Sequence, residues 1–204
     1  METSTHLVNL NILRDRICLD FTNTVGWHTG ENPSEWIKSY EDVVIWSKMA
    51  GILSEEKEQL LLNKAKEFPE AASKVYNDAI LIREAIFRIF RDVLTRKPCS
   101  NEDLLLLNNF CKRANQFIEL GMDKDQYVYQ FKETLELDSM LWVIVKSAAD
   151  FLVSNEIGKL KECEGGGCGW LFLDTSRNHS RRWCSMEDCG NRAKARRHYQ
   201  KKKK

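Results

Sequence analysis

The sequence contains no uninterrupted apolar segment as long as a membrane span. A transmembrane helix needs about 20 consecutive apolar residues, whereas the longest apolar run, residues 140–145, ends at Lys146. Only 4 histidines occur among 204 residues, and neither a nucleophile motif nor a glycine-rich phosphate loop is present. These absences argue against a membrane protein and against an enzyme. The hydrophobic share of 43% is nevertheless sufficient for a folded core.

The N-terminal sequence also lacks the features of a secretory signal peptide. The residues from Met1 to His6 include neither a basic region nor an apolar one. The chain has 7 cysteines, an odd number, and three of them are scattered, at Cys18, Cys99 and Cys111. Reduced thiols are typical of the cytoplasm. The sequence therefore predicts a cytoplasmic protein whose clustered cysteines bind a metal.

The net charge of +1 hides an asymmetry between the two ends of the chain. From Lys159 onward there are 13 lysines and arginines but only 5 acidic residues, whereas the preceding residues carry 18 basic and 25 acidic side chains. An acidic body with a basic C-terminal part indicates that the C-terminal part has a polyanionic partner, because binding to a polyanion releases counterions.

The four remaining cysteines lie near the C-terminus, at Cys163, Cys168, Cys184 and Cys189. Two cysteine pairs at this separation supply the four thiolates that tetrahedral Zn²⁺ requires. Because four thiolates leave no open coordination position, the predicted cofactor is one structural zinc ion. A redox disulfide, an iron–sulfur cluster, and replacement of a ligand by His179 or His198 remain alternatives.

The segments around these cysteines predict a treble-clef zinc finger. Glycines 165–167 allow the backbone to turn tightly around a metal, and residues 170–173 are predicted to form one arm of a hairpin that returns through residues 181–183. No helix breaker occurs from Gly190 to Tyr199, so a helix is predicted to begin at the fourth ligand.

Basic residues are concentrated on this predicted hairpin and helix. Phosphate contacts would dominate the affinity for a nucleic acid, and any base contacts would come from arginine or asparagine. A solvated basic tail that binds nothing is the alternative. The residues predicted to contact nucleic acid are Arg177, Arg181, Arg182, Asn191, Arg192, Lys194, Arg196, Arg197 and Tyr199.

Residues 1–157 are predicted to form a mainly helical domain with minor β structure. Helices are predicted after Ser39 and after Ser54, over residues 70–95, from about residue 103 to Gly121, and over residues 139–154, with one short strand over residues 126–132. The shift in charge and glycines 165–167 set the domain boundary near residue 157, so that residues 158–204 form the finger.

Polar residues interrupt an apolar segment near the N-terminus, at Asp20, Asn23 and Thr24. With Arg83, which lies within the apolar helix predicted over residues 70–95, they could line a pocket for a small ligand. Two alternatives are that they cap or support a helix, and that Arg83 and Asp20 form an internal ion pair.

The segment Cys189-Gly190-Asn191-Arg192, with the preceding cysteines and the segments 168–174 and 181–186, resembles the CGNR zinc finger. The body resembles the ABATE domain that accompanies this finger in bacterial proteins, through the stretches 19–24 and 81–86. The resemblance implies a stress-responsive transcription regulator. It also implies that the treble clef binds DNA and that the N-terminal domain binds an unidentified ligand.

We therefore expect a DNA-binding regulator without catalytic activity. The alternative is an adaptor that binds RNA or protein, because treble-clef folds serve all three kinds of partner. One finger with one short helix would read only a few base pairs. A homodimer would read more, although the sequence has no coiled-coil heptads.

Overall fold

The structure is a computed structural model that describes residues 16–202. The segment from Met1 to His6, examined above for a signal peptide, and the last two lysines lie outside the described residues. Within the described part, no helix is both long enough and apolar enough to cross a bilayer.

The described chain is mainly helical with a few short strands, which confirms the predicted fold class. Three two-stranded antiparallel sheets lie between or beside the helices. The helices are α1 (Ile17–Thr22), α2 (Tyr40–Met49), α3 (Glu55–Glu67), α4 (Pro69–Thr95), α5 (Asn101–Asn115), α6 (Ser139–Leu152) and α7 (Asn191–Lys202). The strands are β1 (Val25–Gly26), β2 (Ser34–Glu35), β3 (Ile118–Asp123), β4 (Gln126–Phe131), β5 (Leu160–Glu162) and β6 (Leu171–Leu173).

The helix boundaries follow the capping residues of the sequence. The hydroxyl groups of Ser39 and Ser54 accept hydrogen bonds from the backbone N–H groups three residues later, which satisfies a donor that the first turn leaves unpaired. At the start of α5, Ser100 accepts from the backbone N–H of Glu102. Pro69 occupies the first turn of α4, where a missing N–H costs nothing.

The long helix α4 and the apolar helix α6 form the centre of the core. The apolar stripe of α4 is buried from Ala72 to Phe90, and α6 contributes Trp142 and Phe151. Phe90 and Phe151 meet edge to face with ring centroids 5.4 Å apart. Leu160, Leu171 and Leu173, from the two strands before and after the first cysteine pair, belong to the same core cluster.

The helix predicted to end at Gly121 instead ends at Asn115, and residues 118–123 form strand β3. Strand β3 pairs with β4 over its full length, from Ile118 opposite Phe131 to Asp123 opposite Gln126. Apolar residues at positions 118, 120 and 122 alternate with period two, which is typical of a strand. Phe117, between the end of α5 and the start of β3, stacks on Trp142 with ring centroids 3.9 Å apart and so anchors the start of the hairpin to the body.

The predicted hairpin of the finger has a different partner strand. Strand β6 pairs with β5, so that Leu171 lies opposite Glu162 and the first two cysteines lie in the connecting loop. The expectation that residues 170–173 pair with residues 181–183 was wrong. Pairing with β5 buries Leu171 and Leu173 in the main core, whereas residues 181–183 are only partly buried or exposed.

Candidate metal centre and nucleic-acid interface

The four clustered cysteines come from three separate pieces of backbone that converge on one point. Cys163 and Cys168 lie in the loop between β5 and β6, Cys184 ends an extended segment, and Cys189 lies in the turn immediately before α7. All four are buried, and their sulfur atoms lie within 4.8 Å of one another.

The spacing of these sulfur atoms fits a tetrahedral zinc ion. Zinc–thiolate bonds of about 2.3 Å place two ligand sulfurs about 3.8 Å apart. The Sγ atom of Cys184 lies 3.8 Å from that of Cys168 and 3.9 Å from that of Cys189. The four cysteines could therefore hold a zinc ion, which would be structural because no coordination position is left for water.

The pKa values of the clustered thiols indicate that four thiolates at this site require a cation. Hydrogen bonding from its neighbours lowers the pKa of Cys163, whereas the same contact and burial raise the pKa of Cys168 to about 12. Contact with Cys163 and Cys168 raises the pKa of Cys184 as well. Four thiolates cannot share this buried space unless a positive ion neutralises them.

Backbone hydrogen bonds and one arginine surround the sulfur cluster. The N–H group of Cys184 donates to the Sγ atom of Cys163 at 3.3 Å, and the Nη2 atom of Arg192 donates to Cys189 at 3.3 Å. The Arg192 guanidinium also lies over the ring of Trp27, 4.6 Å from its centroid. Such outer contacts orient metal ligands and partly neutralise their charge.

Two glycines are required where the loop between β5 and β6 bends around the sulfurs. A Cβ atom on residue 165 would lie 2.7 Å from the Sγ atom of Cys189, which is too close. Gly169 has a φ of +70°, and a Cβ there would lie 3.0 Å from the backbone nitrogen of Thr29. The glycines therefore allow close approach both to the metal ligands and to the body.

Several of the arginines predicted to contact nucleic acid are engaged within the finger. The Arg181 guanidinium donates to the carbonyl groups of Leu173, Trp183 and Cys184 and lies 4.4 Å from the centre of the Phe172 ring. Arg182 pairs with Glu164 and lies over Trp183.

On helix α7 the side chains divide between two directions. Arg192 and Arg196, one turn apart, point toward the metal centre: Arg192 donates to the Sγ atom of Cys189, and Arg196 donates to the carbonyl of Gly165 at 3.0 Å. Asn191 donates from its side chain to the carbonyl of Glu187 at 2.9 Å. The other predicted contact residues are exposed, and they are Arg177, Lys194, Arg197 and Tyr199.

The loop between β5 and β6, which carries Cys163 and Cys168 and is called the metal loop here, is joined to the body by hydrogen bonds that the sequence did not indicate. The backbone N–H of His28 donates to the carbonyl of Cys168 at 3.0 Å, and that of Thr29 donates to Gly167 at 3.2 Å. The indole N–H of Trp170 donates to the carbonyl of Val25 at 2.8 Å. No spacing pattern links residues 25–29 to the cysteines, so only the fold identifies them as neighbours of the metal centre.

The predicted ligand residues lie at this junction. The Asn23 side chain both donates to and accepts from the backbone of Leu171, at 2.8 and 2.9 Å. Thr24 donates its hydroxyl hydrogen to the carbonyl of Phe21. Asp20 is buried on α1. Their role in binding a ligand stays a prediction, but Asn23 and Thr24 have internal hydrogen-bond partners that explain their burial.

Arg83 is buried in helix α4 beside the same junction. Its guanidinium forms a bidentate pair with Glu35, at 2.7 and 2.5 Å, and reaches Glu84 at 2.9 Å and the Thr24 hydroxyl at 3.2 Å. Burial opposes the charge of Glu84, yet His28 and Arg83 hold the pKa of that carboxyl below its usual range. The His28 ring stacks on Phe87 with centroids 3.7 Å apart. This network ties α4 to the segment that contacts the finger.

A large groove lies elsewhere on the body, between α3, α4, α5 and the start of α6. Its volume is about 740 Å³, within the range of roughly 300–1,000 Å³ that is usual for ligand sites. None of the four predicted ligand residues lines it. Five of its twelve lining residues are apolar, and the polar ones include Asp78, whose pKa burial raises, and Lys74. The apolar lining residues are Phe68, Ala71, Val75, Phe110 and Leu137.

Comparison with known families gave two matches that together cover most of the chain. The ABATE family model, described as "Putative stress-induced transcription regulator", matches residues 15–155. The model of the CGNR zinc finger matches residues 159–202. Neither description names a catalytic activity. The comparison with curated proteins gave no match.

Proposed function

Because this chain belongs to the ABATE family and carries a CGNR zinc finger, we propose that it is a DNA-binding transcription regulator whose body binds a small ligand. In this proposal the protein acts in the cytoplasm, the boundary between body and finger lies near residue 157, and the four cysteines bind one zinc ion. The alternative is a finger that binds RNA or protein as an adaptor.

The observation that carries the proposal is the attachment of α7 to the metal centre. Cys189 lies directly before the helix. On one side of the helix, Arg192 contacts the Cys189 sulfur and the Trp27 ring, and Arg196 contacts the carbonyl of Gly165. Lys194 and Arg197 are exposed. A helix that is held rigidly on one side and is basic on another can present its charges to phosphates at low entropic cost.

The arginines therefore have two roles in the proposed finger. Arg181, Arg192 and Arg196 position the metal loop and helix α7 through carbonyl, sulfur and ring contacts. To DNA phosphates we assign four exposed side chains that form no hydrogen bond within the described residues, namely Arg177, Lys194, Arg197 and Tyr199. Arg182 and Asn191, which have internal partners, would contact DNA only from the edge of this surface.

We expect the double variant Lys194→Glu with Arg197→Glu to lose DNA binding. Two phosphate contacts would be removed. The slope of the logarithm of the binding constant against the logarithm of the salt concentration should therefore decrease in magnitude by about 2. The affinity for duplex DNA at low salt should fall by about 100-fold or more. Fluorescence anisotropy with a labelled duplex at several salt concentrations measures both effects on the full-length protein.

The matched control is Lys97→Glu with Lys112→Glu, which changes the net charge equally at two exposed positions of the body. This control should bind DNA nearly as the unmodified protein does. Duplex binding that is absent or independent of salt would contradict the proposal. Tighter binding of RNA in the same assay would support the adaptor instead.

We propose the groove of the body as the ligand site. Asp78 forms no hydrogen bond or close ion pair within the described residues, although the charge of Lys74, one turn earlier on α4, lowers its pKa. Arg113 is already paired with Glu136 and Asp138. A partly buried carboxylate beside the apolar side chains of this mixed groove favours a ligand that has an apolar part and one cationic amine.

An amphiphilic amine should therefore raise the melting temperature of the full-length protein, whereas the matching neutral amide should not. A ligand at 100 times its dissociation constant stabilises by about 2.7 kcal/mol, which corresponds to about 5–10 °C for a chain of this size. Ala71→Trp should fill the groove and abolish the shift, and Asp78→Asn should abolish the preference for the amine. A shift that survives in Ala71→Trp would place the ligand elsewhere.

A further inference from the structure

The hairpin formed by β3 and β4 has one strongly apolar face. The register places Leu120 opposite Tyr129 and Met122 opposite Tyr127. Because residues directly opposite each other, and residues two apart, share a face of a sheet, these four side chains form one surface. Their exposed fractions are 67% for Leu120, 63% for Met122 and 78% for each tyrosine.

The opposite face of the hairpin is mostly polar. It carries the pairs Glu119 with Gln130 and Asp123 with Gln126, and Gly121 lies opposite Val128 between them. The hairpin joins the body at its base, where Phe117 and Phe131 contact Trp142. Beyond that base, the apolar face is not covered by the described part of the chain. A two-stranded hairpin is only marginally stable by itself, so an uncovered apolar face of this kind indicates a partner.

We propose that this face packs against the same face of a second copy of the chain, around a two-fold axis. The apolar face carries no formal charge, so two copies can meet without like-charge repulsion. Tyrosine and methionine are enriched in the buried centres of protein interfaces. The lack of charge also makes a nucleic acid or an anionic membrane an unfavourable partner for this face.

The available area is sufficient for a modest dimer. Four large side chains that are exposed to this extent offer roughly 500–600 Å² per copy, given that an aromatic side chain alone can bury about 150–250 Å². Two copies would then bury roughly 1,000–1,200 Å², at the boundary between weak and standard-size specific interfaces. Because this size is typical of weak or transient complexes, we expect a dissociation constant of roughly micromolar order.

The test is the molar mass of the full-length protein without DNA. Light scattering after size-exclusion chromatography at roughly 100 µM, well above the expected dissociation constant, should give twice the chain mass of 23.8 kDa. Tyr127→Glu should give the single-chain mass, since it places a charge in the centre of the proposed interface. The neighbouring change Gln126→Glu adds the same charge on the polar face and should leave the dimer intact.

Three results would overturn this inference. They are a single-chain mass for the unmodified protein, a dimer that persists in Tyr127→Glu, and loss of the dimer in both variants alike. Circular dichroism should show the same helix content in both variants, because residues 126 and 127 are exposed. The mass measurement does not depend on DNA binding, so its outcome is separate from that of the function proposed above.

Discussion

Cys184→Ser is expected to abolish zinc binding and to unfold the finger while the helical body stays folded. Structural zinc sites contribute apparent binding energies of about 10–16 kcal/mol, far more than a finger of this size gains from its own core. Removal of one of the four thiolates leaves the zinc ion with only three protein ligands. Metal analysis should give one zinc ion per chain for the unmodified protein and none for the variant.

The body should lose stability in this variant without losing its helices. Leu171 and Leu173 pack in the main core, and Asn23 bonds to the backbone of Leu171, so unfolding of the finger removes real contacts. Far-ultraviolet circular dichroism should retain most of the helical signal, and the melting temperature of the body should fall. The measurement also tests the proposed boundary near residue 157.

Cys111→Ser is the matched control for the same chemical change outside the metal centre. Cys111 is half-buried on α5, with its thiol 3.9 Å from the carbonyl of Val145. Its replacement should leave the zinc content unchanged. If Cys184→Ser retained one zinc ion, the assignment of the ligands would be wrong. If the body lost its helices together with the finger, the division into two parts would be wrong.

Arg83→Met is expected to destabilise the body by about 3 kcal/mol. Removing one partner of a buried ion pair costs about 3–5 kcal/mol, and the lower value applies because Glu35 and Glu84 are about one third exposed. For a chain of this length the melting temperature should fall by about 6–12 °C. The loss arises because methionine replaces the volume of the side chain but removes the guanidinium that donates to both carboxylates and to the Thr24 hydroxyl.

The control lies two turns further along the same helix. Arg91 is 44% exposed and pairs with Glu162 at 2.9 Å. Arg91→Met should cost less than about 1 kcal/mol, because exposed ion pairs contribute little. Equal losses in the two variants would show that burial at residue 83 has no special effect. Calorimetry of the two purified proteins provides the comparison.

Arg83→Met also separates two interpretations of that residue. A residue that only lines a ligand pocket would alter ligand-induced stabilisation but leave the unliganded protein nearly unchanged. A residue that joins α4 to the segment before the finger would lower the stability of the unliganded protein. The hydrogen bonds to Glu35, Glu84 and Thr24 favour the second interpretation.

The elements that the sequence predicted well are those that local patterns specify. The N-terminal ends of α2 and α3 follow from the serine caps, and the span of α4 follows from its apolar stripe. Strand β4 was predicted from aromatic and β-branched residues. Strand β3 was missed because Ile118 continues the apolar pattern of α5 as well as it begins that of a strand.

The convergence of the four cysteines could be predicted because metal coordination restricts the spacing of ligands in the chain. The roles of the arginines could not be predicted in this way. Arg181 and Arg197 are equally basic in the sequence, but Arg181 is enclosed by three backbone carbonyls and Phe172, whereas Arg197 is exposed. Only the path of the backbone decides which carbonyl groups lie within reach of a guanidinium.

The sequence by itself determined the mainly helical body, the cysteine cluster with its capacity for zinc, and the separation of charge between the two parts. Each of these depends on residues that are close in the chain or on composition. The tertiary structure alone decided that residues 25–29 contact the metal loop, that Arg83 pairs with Glu35, and that one face of the β3–β4 hairpin is uncovered by the described part of the chain. These contacts join residues that are distant in the chain, and burial and hydrogen bonding select them only once the fold has formed.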